Sequence, residues 1–129
     1  MASVLSRTNA RYPGRAPIDS YGNGGFRFAQ MSHRGSLLCL PCGVFAWDVD
    51  VDAQVSLALL EPVLAQLQPP AFLLFGTGTR QVFPTTDIRA AFVEAGVGLE
   101  TMSTGAACRT YNILLGEGRP VAAALVAVA

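Results

Sequence analysis

Three places in this 129-residue chain bring together side chains that could do chemistry. The first is Cys108-Arg109-Thr110-Tyr111-Asn112, which sets a thiol, a guanidinium, two hydroxyls and a carboxamide in a row within a largely aliphatic sequence. A cysteine near a helix N-terminus and beside a cation is a candidate nucleophile, because both features favour the thiolate. The second is Gly76-Thr77-Gly78, directly after the apolar run Phe72–Phe75. It resembles the start of a phosphate-binding loop, yet Thr79-Arg-Gln-Val-Phe-Pro84 supplies neither the third glycine nor a lysine before Ser/Thr. A tight strand-to-helix turn is the plainer reading, although ligands of α/β sheets often bind at such turns. The third is Cys39-Leu-Pro-Cys42, which has the spacing of a redox pair but closes a strand instead of opening a helix. Two cysteines make a poor zinc site. The sole histidine, His33, lies far upstream of Cys108 with nothing in the sequence to pair them. No metal or cofactor is expected.

These residues are positioned by elements whose periods can be read. With Thr104 as N-cap, a helix over 104–115 gathers Ala107, Cys108, Tyr111, Leu114 and Leu115 within an arc of about 120°. Gly105, Arg109, Asn112 and Ile113 then fall on other sides. Packing of Cys108 as a small buried hydrophobe is the competing reading, and the commoner fate of such a residue. Upstream, Gly25–Phe28, His33–Leu40 and Gly43–Asp48 read as short strands, so the chain opens with antiparallel β structure. Asp48–Gln54 is acidic and loop-like. Leu57, Leu60, Val63, Leu64 and Leu67 share a helical face. Pro62 conflicts with an unbroken helix and moves its expected start to near Glu61. Phe72–Phe75 is a central strand. A helix capped by Thr85 or Thr86 follows, with Ile88, Ala91, Phe92 and Ala95 inward and Gly96 as its stop. Val97–Met102 and Val121–Val128 complete the strands. This order predicts a three-layer α/β fold: a mixed central sheet flanked by helices, with an antiparallel β-rich N-terminal part.

Composition narrows the function classes. Hydrophobic residues make up 51% and charged residues 14% of the chain, as suits one well-packed domain. Residues 1–17, with Arg7, Arg11 and Arg15 among Pro and Gly, read as a flexible arm, and 18–129 as a single α/β domain. Nine arginines balance nine carboxylates and there is no lysine, which argues against nucleic acid as a partner. No apolar run has the roughly 18–20 residues of a membrane span. Three cysteines, an odd number at low density, fit a reducing compartment, hence a cytoplasmic setting.

Taken together, Phe75-Gly-Thr-Gly78, Ala95-Gly-Val-Gly-Leu-Glu100, Met102-Ser-Thr-Gly-Ala-Ala-Cys-Arg-Thr-Tyr-Asn112 and Glu117-Gly-Arg-Pro-Val-Ala-Ala-Ala-Leu125 resemble one family. It is that of the mitochondrial complex I assembly factor 3 and its bacterial and archaeal relatives of unknown function. The likeness includes Gly35-Ser-Leu-Leu and Trp47, and spans roughly residues 18 to 126. It implies the same three-layer fold and protein partners of the respiratory assembly type, and it brings no established catalysed reaction with it. The short arm points to a bacterial cytosolic protein more than a mitochondrial one. Two functions follow. The first is a non-enzymatic interaction or assembly module, with self-association compatible. The alternative is an anion or nucleotide site, of a binding protein or an enzyme, between the Gly76-Thr77-Gly78 turn and the Thr104–Asn112 helix start. Gly76, Thr77, Gly78, Thr104, Cys108, Arg109 and Asn112 are the candidate ligand or partner residues. The absence of a complete catalytic constellation favours the first.

Overall fold

Alternation of side chains decides the first sheet. Strands β1 (Ile18–Gly22), β2 (Gly25–Phe28) and β3 (Met31–Arg34) pair antiparallel in that order. They bury Ile18, Phe26, Phe28 and His33 on one side and turn Arg27, Ser32 and Arg34 to the other. The computed structural model describes residues 10–66 and 68–129. Residues 1–9 of the expected arm and Leu67 of the expected helical face lie outside the described residues. Within 10–17, Tyr12 bridges antiparallel to Val44 and Ala16 is buried.

The expected strand His33–Leu40 is two strands. Gly35, at φ 101°, takes a backbone conformation that side chains disfavour and redirects the chain out of the small sheet. Beyond it, β4 (Ser36–Leu40) enters a second sheet beside β5 (Gly43–Trp47). A single glycine between Arg34 and Ser36 is the sequence's one mark of this break.

Helix α1 (Leu57–Leu64) begins at Leu57, ahead of the expected start near Glu61, and carries Pro62 inside it. The missing amide of Pro62 costs one helical bond, but the helix ends two residues later, and Leu60 and Val63 remain fully buried. Strand β6 (Phe72–Gly76) then leads to α2 (Thr86–Ala95), which buries Ile88 and Phe92. Ala91 is only half-buried and Ala95 is exposed, so the inward face of α2 is narrower than its sequence period indicates. Gly96, at φ 72°, ends α2. Its amide bonds to Val93 O, and that of Val97 to Phe92 O, the paired bonds of a Schellman motif. Strand β7 (Gly98–Met102), α3 (Thr104–Gly116) and β8 (Val121–Leu125) follow.

The large sheet has the order β5-β4-β8-β6-β7, with β6 parallel to β7 and β8, and β4 antiparallel to β5 and β8. Running from β6 out to β7 and back from β7 to β8 by right-handed crossovers puts α2 and α3 on opposite faces. Strand β8 therefore lies in the middle, and its alternate residues feed two cores. Val121, Ala123 and Leu125 join Cys108, Tyr111, Phe26 and Phe28 under α3 and the small sheet. Ala122 and Ala124 join Leu60, Val63, Ile88 and Phe92 under α1 and α2. The three alanines at its centre let layers on both sides approach closely. Each fully buried Leu or Phe in these cores contributes about 1.5–3 kcal/mol. The three-layer mixed α/β architecture is the expected one. Among the described residues, no helix is long and apolar enough to cross a membrane.

Candidate functional site

Helix α3 starts one residue earlier than expected. Ser103 is its N-cap, accepting the amide of Ala106 at 3.3 Å, and Thr104 is the first helical residue. Both residues have capping hydroxyls; the tertiary contacts of Thr104 decide between them. Its hydroxyl donates to Val126 O at 2.6 Å and accepts the Gly78 amide at 3.0 Å, while its own amide donates to Gly78 O at 2.8 Å. Thr104 is wholly buried and ties together the turn after β6, the start of α3 and the exit of β8. Gly76 lies so near that a Cβ there would sit 3.0 Å from Thr104 Cα and 3.1 Å from Ala107 Cβ.

The fold thus brings Gly76 and Gly78 against Thr104, with Thr77 between them bonded to Met102. The amides that a phosphate would need are already engaged. That of Gly78 donates to Thr104, that of Thr77 to Met102 O at 2.9 Å, and that of Thr79 to the Asp52 carboxylate at 2.7 Å.

The rest of the α3 cluster divides as its helical period requires. Cys108 faces inward, only 3% exposed. Burial pushes its thiol up to about 12, outweighing the neighbouring Arg109 charge that acts the other way. Cys39, fully buried in the same core, is raised further for the same reason. Tyr111 is buried beside the Arg15 guanidinium, and desolvation likewise raises its phenol. Arg109 is exposed. Asn112 is taken up by the fold: its carboxamide accepts the Ile18 amide at 2.8 Å and donates to Ile18 O at 2.7 Å. It pins β1 to α3 as a neighbouring strand would. Cys39 and Cys42 pack toward opposite cores, and all three cysteines are free thiols. His33 is buried, with Nε2 3.1 Å from Ser36 O, a structural placement. Among the described residues, no group of three or more His, Cys, Asp or Glu side chains could hold a metal.

A cavity of about 280 Å³ opens on the other side of Thr77, at the carboxyl end of β6. Ala53, Val55, Phe75, Val82, Phe83 and Ile88 give it apolar walls, with Asp52, Thr77 and Thr85 at its edges. The loop that roofs it is held from below. Asp52, in a left-handed conformation at φ 53°, accepts both the amide and the hydroxyl of Thr79, the latter at 3.0 Å. Thr77 Oγ1 donates to Arg80 O at 2.6 Å and accepts the Val82 amide at 2.9 Å. This bracing presents Val82 and Phe83 outward, 50% and 78% exposed. The sequence reading missed this cavity because its walls come from two loops far apart in the chain. The one available signal was Val82-Phe83-Pro84, an apolar triplet outside any periodic element.

A family model described as protein of unknown function (DUF498/DUF598) matches residues 18–126. The chain belongs to that family. An uncharacterised protein of Rhodobacter capsulatus is 38% identical over 115 residues, covering 89% of this chain and 87% of that one. The human NADH dehydrogenase [ubiquinone] 1 alpha subcomplex assembly factor 3 is 31% identical over 115 residues, covering 84% of this chain. The match spans 59% of the human protein's own length. In structure, the chain resembles a crystal structure of an outer membrane protein from Bartonella henselae. The TM-score is 0.85 at 46% identity, over 92% of this chain and all of that one. The DUF498/DUF598 relatives thus include both an assembly factor and uncharacterised bacterial proteins, as the sequence resemblance implies.

Proposed function

We propose that this DUF498/DUF598 protein is a non-enzymatic interaction module that helps to assemble a respiratory NADH dehydrogenase, working in the bacterial cytoplasm with residues 18–129 as one unit. The observation that carries this reading is the braced loop bearing Val82 and Phe83 over an apolar cavity. A monomer gains nothing in its own core from a phenylalanine 78% exposed, whereas a partner's apolar side chain entering the cavity would cover both. Likeness to the human assembly factor supplies the class of partner. The buried, hard-to-ionise Cys108 supports a role without nucleophilic chemistry.

The test is a Phe83→Asp variant expressed from the native locus. Its melting temperature should stay within a few degrees of the parent, since the side chain is largely in solvent. Copurification with NADH dehydrogenase subunits or their assembly proteins should be lost, and less assembled enzyme should appear on native gels. If the parent itself copurifies with none of them, or Phe83→Asp leaves assembly unchanged, this function is wrong.

A further inference from the structure

The outer face of the β1–β3 sheet carries a second feature, independent of the Phe83 surface. Arg27 lies opposite Ser32, and Arg34 opposite Gly25, so the two guanidinium stems are diagonal neighbours on one face. Among the described residues, the one ion pair is Glu117–Arg119 at 3.7 Å, so neither Arg27 nor Arg34 has a carboxylate partner. Like charges placed this close on a sheet repel, and the bond that Arg27 donates to Ser32 Oγ leaves both positive charges in place. Between them lies a depression of about 450 Å³, bordered also by Ser20, Asn23 and Ser32. Gly22 and Gly25 also line it, and Gly25 packs so closely on β3 that a Cβ there would fall 2.1 Å from His33 O. No side chain can occupy that position without moving the strand. Charge is also segregated along the chain. Arg11, Arg15, Arg27 and Arg34 face a single acid, Asp19, between residues 10 and 34, whereas residues 35–79 contain four acids and no cation.

We propose that this hollow binds a phosphoryl group. A singly charged carboxylate satisfies one guanidinium fork. A phosphate monoester carries close to two negative charges and three terminal oxygens, enough to engage Arg27 and Arg34 together and still accept from Ser20, Ser32 or Asn23. A soluble monoester and a lipid headgroup both present this group, and the experiment separates these sources. In one arm, inorganic phosphate and glycerol 3-phosphate are titrated into the full chain at low salt, followed by amide NMR shifts at Ser20, Asn23 and Ser32. In the other, the chain is sedimented with phosphatidylcholine vesicles, with and without phosphatidic acid.

Saturable shifts at those amides, or sedimentation only with phosphatidic acid, are the expected results and identify the source. Arg27→Gln and Arg34→Gln should each weaken that binding by about tenfold or more. Arg89→Gln, an exposed site on α2, should not. Failure of every probe overturns the proposal, as does binding that Arg27→Gln and Arg34→Gln retain or that Arg89→Gln loses equally.

Discussion

At Cys108 two opposing influences act on one thiol: burial disfavours its anion, and Arg109 one residue on favours it. Desolvation inside the core acts at full strength, whereas Arg109 projects into water, where its field is screened. The raised thiol follows, and with it a reactivity order. An aromatic disulfide reagent at pH 8 should modify half-buried Cys42 in the native protein, and reach Cys39 and Cys108 only on unfolding. Rapid native modification of two or three thiols would contradict the burial described. Asn112 invites a different test, because both ends of its carboxamide bond to Ile18. Asn112→Ala should cost about 1–3 kcal/mol in urea unfolding, the worth of two part-buried hydrogen bonds. The helical period could say that Asn112 leaves the core stripe. It could not say that a strand more than ninety residues earlier would claim both ends of the amide.

Between elements, the decisive contacts are polar ones. Asp52 clamps the roof of the cavity through Thr79, and Gly78, at φ 112°, leaves room for that carboxylate: a Cβ there would come within 2.6 Å of Asp52 Oδ1. Asp52→Ala should therefore speed hydrogen exchange at Thr79 and Val82 while leaving the β6 and β8 amides protected. Equal protection throughout would show that the loop stands without the clamp. At the sheet's margin, β7 pairs with β6 on one side and is unpaired on the other among the described residues. Glu100, in the middle of Gly98–Met102, places a charge where another strand would add. Glu100→Val should promote concentration-dependent self-association, visible by size-exclusion chromatography at high protein concentration. The strands and helices themselves were legible, because runs such as Phe72–Phe75 and alternations such as Gly25–Phe28 carry their own period. The division at Gly35 and the choice of Ser103 over Thr104 as cap were not. Each is settled by a partner distant in sequence: the Gly24 carbonyl that receives the Gly35 amide, and Val126 with Gly78 for Thr104.

For the molecule as a whole, His33 links stability to acidity. Burial lowers its pKa from 6.5, more than its bond to Ser36 O raises it, and Arg11 adds to the lowering. The unfolded chain therefore binds this proton more readily than the folded one. The contribution is fully present above 6.5 and is lost as pH falls from there through the folded-state value. Urea midpoints should decline between pH 7.5 and 5.5, and His33→Gln should flatten that decline; an unchanged slope in the variant would assign it to other groups. The layer arrangement was readable because alternating strands and helices admit few right-handed windings. The place of β8 was less apparent. Its position between β4 and β6 has a consequence for biosynthesis. The five strands of the large sheet leave the ribosome in numerical order, so β4 and β6 emerge without the neighbour that each needs. Until residues 121–125 clear the exit tunnel, two apolar ribbons wait with open flanks, and chaperone occupancy during translation should peak in that interval.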